Sequence, residues 1–293
     1  MELRVLRYFL TIAREGNITN AANALHVTQP TLSRQIRDLE EELGQQLFVR
    51  SSHSVTLTPE GMLLRKRAEE ILDLVQKTEQ EFAQTEEAIS GEVYIGAGET
   101  VGVHYLTQAA RQLQESYPDI RIHISSGDAT DVREDLDKGL IDFGLLFAPV
   151  DLSRYNVIHL PYQDTWGVLM RRDSPLAQKE TLRLSDLKGQ PLIVSRQMYR
   201  TSRLQEWFGE VGGQLQVTGT YNLVYNGSLM VEDGMGYAVC LDGIINVTGD
   251  SPLCFRPLEP RRQADMYIVW KKYQIFSPAA ERFLNVLREI EKA

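Results

Sequence analysis

The sequence predicts a multidomain α/β protein that has a mostly helical head, one long helix and a large α/β body. Three observations support this fold class. Short helical patterns followed by a hairpin pattern fill residues 1–58, a heptad repeat runs from residue 64 to residue 89, and strands alternate with helices after residue 90. A chain of 293 residues can hold two or three domains, and a βαβαβ order predicts a parallel sheet with covering helices.

The head begins with three helical patterns. Apolar residues from Leu3 to Ala13 share one helical face, and Gly16 is expected to end that helix in the left-handed conformation. Thr19 is the expected N-cap of a short helix over residues 20–25. Thr28 is the expected N-cap of a third helix, with Pro30 tolerated in its first turn. The segment thus predicts two short helices joined closely to a longer one.

The third helix has two distinct faces. At 100° per residue its inner stripe comprises Leu32, Ile36, Leu39 and Leu43. The opposite face comprises Pro30, Arg34, Arg37 and Glu41, with Thr31 and Ser33 beside it. The acidic run at residues 40–42 is expected to point away from any bound phosphates. After Gly44, the run "QLFVRSSHSVTLTPEG" predicts a β-hairpin, and Thr58 and Pro59 then begin another helix.

This arrangement fits a helix-turn-helix with a wing, in which the second helix enters the major groove of DNA. Hydroxyl and amide groups can bond phosphates or base edges, and arginine can bind guanine or phosphate in a bidentate manner. The alternative is an ordinary solvated face carrying two arginines. Residues 1–67 have a net charge of +2 and the remainder −11, which permits DNA binding by the head alone. The candidate DNA contacts are Thr28, Gln29, Pro30, Thr31, Ser33, Arg34, Arg37, Arg50 and His53.

The helix that follows carries a seam at alternating spacings of four and three residues. Its members are Leu64, Ala68, Ile71, Val75, Thr78, Phe82, Thr85 and Ile89. Such a seam is typical of a coiled coil, and ~30 residues of helix extend ~45 Å. We therefore expect residues 59–90 to pair with the same helix of a second chain. The alternative is an amphipathic helix that lies on its own domain.

The body offers few signs of catalysis. The turn "GAGET" at residues 96–100 resembles a dinucleotide-binding turn, but its third glycine is one place late and no acidic residue ends a second strand ~20 residues on. The five histidines lack metal-ligand spacing, and no cofactor is expected. Cys240 and Cys254 lie in apolar runs, which favours two reduced core residues over a redox pair.

Two long stretches carry a family resemblance. "LRYFLTIAREGNITNAANALHVTQPTLSRQIRDLEEELGQQLFVRSSHSVTLTPEG" resembles the DNA-binding domain of LysR-type transcriptional regulators. "SGEVYIGAG", "YPDIRIHISSGD" and "GLIDFGLLF" are similar to the effector-binding domain of that family. The resemblance implies a winged helix-turn-helix over residues 1–58, a dimerising linker helix over 59–90 and a two-lobed, periplasmic-binding-protein-like regulatory domain over 91–293. It also implies a small effector between the lobes, a homodimer and a homotetramer. Two paired heads predict an operator with dyad symmetry.

Within the regulatory domain, the resemblance implies a first lobe of residues 91–162 and 267–293 and a second lobe of residues 163–266. Crossing segments are expected near residues 160–163 and 264–268. Ligands in such folds bind beyond the carboxyl ends of the strands. Thr100 is the leading candidate, because its hydroxyl can cap the next helix and face the cleft. The candidate effector residues are Gly98, Glu99, Thr100, Val101, Gly127, Asp128, Phe147, Ser195, Arg196, Gln197 and Asn226.

Glu99 departs from what a simple anionic effector would require, because it places a negative charge beside a helix start. It leaves open an effector with hydroxyl or amino groups. No run of ~18 apolar residues is present, and "VLRYFL" is too short and too charged for a signal peptide, so we expect a cytoplasmic protein without membrane contact. The rival hypothesis is a small-molecule enzyme or binding protein whose N-terminus serves only oligomerisation.

Overall fold

The computed structural model describes residues 1–50, 54–83, 90–148, 150–200, 206–207 and 215–292. The chain forms two compact units, Met1–Ala83 and Gln84–Ala293. In the described part of the chain, no helix has the length and apolar character needed to cross a membrane.

The first two helices of the N-terminal unit are fixed by their caps. Helix α1 (Leu3–Glu15) ends at Gly16, whose φ of 60° is left-handed as expected. Helix α2 (Ile18–Ala24) begins two residues before the predicted start. Its N-cap is Asn17, whose side chain accepts hydrogen bonds from the Thr19 and Asn20 amides. The prediction of Thr19 as the cap was wrong. The backbone of Asn17 is extended, as an N-cap requires, and its carboxamide accepts from both amides, while Thr19 lies inside the helix.

Helix α3 (Gln29–Leu43) has the predicted cap and most of the predicted core face. The Thr28 hydroxyl accepts from the Thr31 amide, and Leu32, Ile36 and Leu39 are buried. Leu43 was predicted to belong to this inner stripe, but 39% of it is exposed. It is the last residue of α3, directly before the left-handed Gly44 that ends the helix.

Strands β1 (Phe48–Arg50) and β2 (Val55–Leu57) form the predicted antiparallel hairpin, with Phe48 opposite Leu57. The Val55 amide donates to the Gly16 carbonyl at 2.8 Å, which ties the hairpin to the end of α1. The hairpin turn at residues 51–53 lies outside the described residues, and so does the candidate His53.

Helix α4 (Pro59–Ala83) is the predicted long helix, and the Thr58 hydroxyl caps it by accepting from the Gly61 amide at 2.9 Å. The first part of the heptad seam is used within the N-terminal unit, because Ala68 is buried and Leu64 and Ile71 pack on its core. At Leu64, Ala68 and Ile71, therefore, α4 packs on its own domain, as in the alternative prediction. Phe82, further along, is 87% exposed. The seam positions Thr85 and Ile89 lie outside the described residues.

The second unit alternates strands and helices as predicted. Its strands are β3 (Gly91–Ala97), β4 (Ile120–Ser126), β5 (Phe143–Phe147), β6 (Tyr155–Arg171), β7 (Leu182–Arg183), β8 (Pro191–Ser195), β9 (Gln216–Tyr221), β10 (Tyr237–Leu241), β11 (Leu253–Glu259) and β12 (Gln263–Lys271). Its helices are α5 (Val103–Ser116), α6 (Ala129–Lys138), α7 (Arg196–Arg200), α8 (Val224–Glu232) and α9 (Pro278–Lys292), with short 3₁₀ turns at Pro175–Gln178 and Leu184–Leu187. The predicted helix in "TSRLQEWFGEV" falls almost entirely outside the described residues.

One sheet joins two lobes. Its order is β4-β3-β5-β12-β6-β10-β8-β9, and β11 pairs with β6 and β7. Strands β3, β4 and β5 with helices α5, α6 and α9 form the first lobe, and β8, β9 and β10 with α7 and α8 form the second. Antiparallel strands β6 and β12 run through both, with Gln163 opposite Asp265. The predicted crossing segments are parts of these two long strands.

Each lobe has its own core. Aromatic side chains of the first lobe cluster around Phe143, whose ring lies 5.4 Å from that of Phe283 on α9. The second lobe is built around Val168, Val194 and Val239. Residues at the ends of strands from both lobes line a cavity between the lobes.

Candidate DNA-contacting surface and ligand cleft

The start of α3 presents the predicted polar face to solvent. Pro30, Arg34 and Arg37 are exposed, as are Thr28, Gln29 and Thr31, while Ser33 is half-buried. Neighbouring side chains hold one another in place, because the Thr28 and Thr31 hydroxyls lie 2.7 Å apart and the Gln29 amide donates to the Ser33 hydroxyl at 3.0 Å. The first turn of α3 therefore offers an ordered set of side-chain donors and acceptors at the helix N-terminus.

Arg34 is a largely exposed cation of this surface. Its Nε lies 3.9 Å from the Asp38 carboxylate, with 82% and 55% of the two side chains exposed. An ion pair this exposed contributes little, so a phosphate or a guanine edge can replace Asp38 at small cost. Arg50 is the last residue of β1.

Glu40 has a structural role that the sequence did not indicate. Its carboxylate accepts hydrogen bonds from the Leu47 and Phe48 amides at 2.9 and 3.3 Å, so it fixes the start of the hairpin. Glu42 pairs with the N-terminal amine of Met1 at 2.5 Å. Two carboxylates of the acidic run thus make structural contacts, beyond the expectation that the run points away from bound phosphates. No sequence pattern indicates the contact of Glu40 with the hairpin, because a glutamate a few residues before a strand is common and has no fixed partner.

A cavity of about 80 Å³ lies between the two lobes of the second unit. Most of the predicted effector residues line it, because the carboxyl ends of parallel strands meet there. The first lobe contributes residues after β3 and β4 and the last residue of β5, and the second lobe contributes the last residue of β8 and those that follow it. The predicted residues that line the cavity are Gly98, Glu99, Gly127, Asp128, Phe147, Ser195, Arg196 and Gln197.

The cavity also has a lining that the sequence reasoning missed. Trp166 on β6 and Tyr221 at the end of β9 supply aromatic surface. The same strand-end rule could have found Tyr221, Asn222 and Leu241, but Trp166 lies within a long strand and gave no signal. The additional lining residues are Ala129, Trp166, Met198, Tyr221, Asn222, Val224, Cys240, Leu241 and Ile244.

Thr100, Val101 and Asn226 are not among the cavity lining. The expectation that Thr100 presents its hydroxyl to the cleft does not agree with its contacts. The hydroxyl is buried, donates to the Asp164 carboxylate of β6 and accepts from the Gly102 amide at 2.9 Å. Burial, with a contribution from the charge of Asp242, raises the pKa of Asp164 above its ordinary value. Thr100 thus supports a buried carboxylate.

Polar contacts of Glu99 and Arg196 cross the cleft. The Glu99 carboxylate of the first lobe accepts hydrogen bonds from the Val224 amide and the Tyr225 amide at the start of α8. Arg196 of the second lobe lies 3.8 Å from Asp128 and 3.9 Å from Asp131. Burial raises the pKa of Glu99 above its ordinary value, although the two backbone hydrogen bonds act in the opposite direction.

The cavity holds one thiol. Burial raises the pKa of Cys240 to about 12, so it is a neutral thiol at physiological pH. Cys254 is also a buried free cysteine. Both observations agree with the interpretation of the cysteines as core residues. Among the described residues, no group of three or more His, Cys, Asp or Glu side chains is placed to hold a metal ion.

A helix-turn-helix unit with a wing and a two-lobed unit with a ligand cleft together define a ligand-controlled DNA-binding regulator. Comparison with known families gives the particular family. Residues 3–62 match the bacterial regulatory helix-turn-helix proteins of the lysR family, and residues 86–291 match the LysR substrate binding domain. The second match covers well over half of the chain, so the protein belongs to the LysR family.

Individual relatives agree with this assignment. The chain is 27% identical to the uncharacterized HTH-type transcriptional regulator YvbU of Bacillus subtilis, over 99% of both chains. It is 32% identical to the hydrogen peroxide-inducible genes activator of Dickeya chrysanthemi, over 66% of this chain and 63% of that protein. The fold is also that of full-length CbnR, solved in complex with its target DNA, with a TM-score of 0.74, 21% identity and 99% of both chains covered.

The protein is therefore a DNA-binding transcriptional regulator with an effector-binding domain, and not an enzyme. LysR regulators form dimers and tetramers. The family assignment decides against the rival hypothesis of a small-molecule enzyme with an N-terminal oligomerisation segment.

Proposed function

We propose that the first turn of α3 reads a dyad-symmetric operator in the major groove. The support is the exposed face that begins at Gln29 and includes Arg34 and Arg37, opposite the buried stripe of the same helix. The positive end of the helix dipole at the start of α3 favours a nearby phosphate. Arg50 and His53 of the wing are proposed to contact the flanking DNA backbone.

The domain organisation follows the same proposal. Residues 1–58 bind DNA, residues 59–90 link and pair two chains, and residues 91–293 bind the effector. The exposed Phe82 supports pairing through the later part of α4, since the earlier seam residues pack within their own unit. Two paired heads match two half-sites, and two such dimers give the tetramer. We place the protein in the cytoplasm, where it has access to DNA.

A small effector is proposed to bind between the two lobes. The observation that carries this proposal is one cavity lined by strand ends from both lobes, including Glu99 and Asp128 from the first and Ser195 and Arg196 from the second. Ligand pockets of proteins usually exceed ~300 Å³, so a cavity of about 80 Å³ is small for an effector. Effector binding must then change the separation or the packing of the lobes.

Lobe movement provides a route to regulation. An effector that binds one arrangement of the lobes more tightly shifts the equilibrium towards it. Because the heads of an oligomer must match the spacing of two half-sites, a small rotation changes which sites are occupied. Whether the effector raises or lowers operator affinity then depends on which arrangement it favours.

The test combines two measurements on the full-length protein. A thermal-shift screen of small metabolites should find a compound that raises the melting temperature, because a ligand of the native state stabilises it. Genomic DNA capture with and without that compound should recover discrete sites with dyad symmetry, and the compound should change their occupancy. Substituting Trp166→Ala should abolish the thermal shift. The proposal would be overturned if the compound raised the melting temperature of Trp166→Ala as much as that of the wild type. It would also be overturned if DNA capture recovered no preferred sites.

A further inference from the structure

Glu99 forms a contact that links the lobes through a helix terminus. It follows strand β3 of the first lobe, and its carboxylate accepts from the first amides of α8, which belongs to the second lobe. The residues joined lie 125 positions apart in the chain. Glu99 is also a lining residue of the cavity, so this contact forms part of the cleft wall.

Helix α8 lacks a cap of its own. The residue at its N-cap is Leu223, which makes no side-chain hydrogen bond to the helix. The first amides of a helix need an external acceptor, usually a Ser, Thr, Asp or Asn at the N-cap. The carboxylate from the opposite lobe supplies it, and the helix dipole favours a negative charge at this end.

Other charges of the cleft are already opposed. Arg196 lies within 4 Å of both Asp128 and Asp131, while Asp128 also caps α6 through the Thr130 and Asp131 amides. With Glu99 added, carboxylates outnumber the cation among these residues. Without these carboxylates, the start of α8 would attract the carboxylate of a ligand. With them in place, their negative charge repels it.

We propose that Glu99 is an internal substitute for a ligand carboxylate and thereby determines effector specificity. It fills the anion position at the start of α8 and excludes carboxylate effectors from the cleft. The effector class is therefore a neutral or cationic molecule with hydroxyl or amino groups, which pack against Trp166, Phe147 and Tyr221. This inference rests on the proposed effector role of the cleft.

The experiment uses acetate as the probe. Glu99→Ala vacates the start of α8, so acetate should bind there and raise the melting temperature of the full-length variant. At ten times its dissociation constant the expected rise is about 3–6 °C. Sodium chloride at equal concentration corrects for ionic strength. The wild-type protein and Glu99→Gln, whose amide still fills the position, should show no rise beyond that of chloride.

A matched control is Glu115→Ala, which removes an exposed carboxylate of α5 that pairs with the exposed Arg111 at 3.5 Å. It should respond to acetate as the wild type does. If acetate stabilises Glu99→Ala no more than it stabilises this control, the inference is overturned. If Glu99→Ala does not fold unaided, refolding yields in acetate and in chloride give the answer, and equal yields overturn the inference.

The two proposals fail in different ways. If acetate does not stabilise Glu99→Ala, the proposed role of Glu99 is rejected, but the proposal that a metabolite binds in the cleft is not affected. Metabolite hits that do not depend on Trp166 reject the effector cleft, even where acetate binds the start of α8.

Discussion

Replacing Thr100 with valine removes one hydroxyl without changing the shape of the side chain. In the folded protein this hydroxyl donates to the Asp164 carboxylate, and both residues are buried. A hydrogen bond to a charged group contributes ~1.5–3 kcal/mol. Asp164 keeps its backbone hydrogen bond to Val101, so we expect Thr100→Val to lose about 2 kcal/mol at pH 8. The melting temperature of the effector-binding unit should fall by about 4–8 °C.

The loss should depend on pH with a definite sign. Burial raises the pKa of Asp164, and the hydrogen bond from Thr100 opposes that rise, so the variant has the higher pKa of the two proteins. A carboxyl group with a raised pKa in the folded state favours folding at low pH, and this contribution is lost as the pH rises through that pKa. The difference between wild type and variant should therefore shrink as the pH falls from 8 towards about 4.5.

Thermal denaturation of the full-length proteins from pH 4.5 to pH 8 measures this effect. Thr100→Ser keeps the donor and should stay close to the wild type. Because Thr100 is absent from the cavity lining, an effector found by screening should bind Thr100→Val with nearly unchanged affinity. A variant of wild-type stability that loses effector affinity would refute this reasoning, and would restore the interpretation in which the hydroxyl faces the ligand.

The DNA-binding unit gives three further predictions. Arg34→Ala should weaken operator binding by about 1–3 kcal/mol in mobility shifts if Arg34 contacts a base. The control Arg14→Ala, at the end of α1, should leave operator binding unchanged. Equal losses of affinity in the two variants would contradict a base contact by Arg34. Leu39→Ala should cost ~2–5 kcal/mol in urea denaturation, since Leu39 is 2% exposed, while Leu43→Ala should cost far less, and similar costs would return Leu43 to the core. Gly61→Ala should destabilise the unit, because a Cβ there would lie 2.1 Å from a backbone carbonyl oxygen; unchanged urea denaturation would show that α4 can shift.

Local features of the DNA-binding unit were largely predictable from the sequence. Thr28 as a cap, Gly16 as a helix end and the stripe of Leu32, Ile36 and Leu39 depend on neighbours a few residues away. The wrong prediction of Thr19 as an N-cap also came from considering only residues close in sequence. Asn17 and Thr19 both suit an N-cap, and the backbone conformation that chose Asn17 depends on the turn after α1.

The strand-end rule predicted much of the ligand cleft for a similar reason. The order of strands and helices already determines where the carboxyl ends of parallel strands gather, so Gly98, Gly127 and Phe147 could be named without coordinates. The direction of each side chain was beyond this rule. Thr100 is adjacent to Glu99, yet one side chain turns to a buried carboxylate and the other to the cleft.

The sequence by itself determined the family, the order of the elements, the face of α3 and the ends of the strands that meet. Only the tertiary structure decided that Glu40 holds the wing, that Thr100 supports Asp164 and that Glu99 caps α8 across the cleft. The physical reason is the range of the interactions. Periodicity and capping act over a few residues, whereas these hydrogen bonds join groups whose proximity arises only when separate elements pack together.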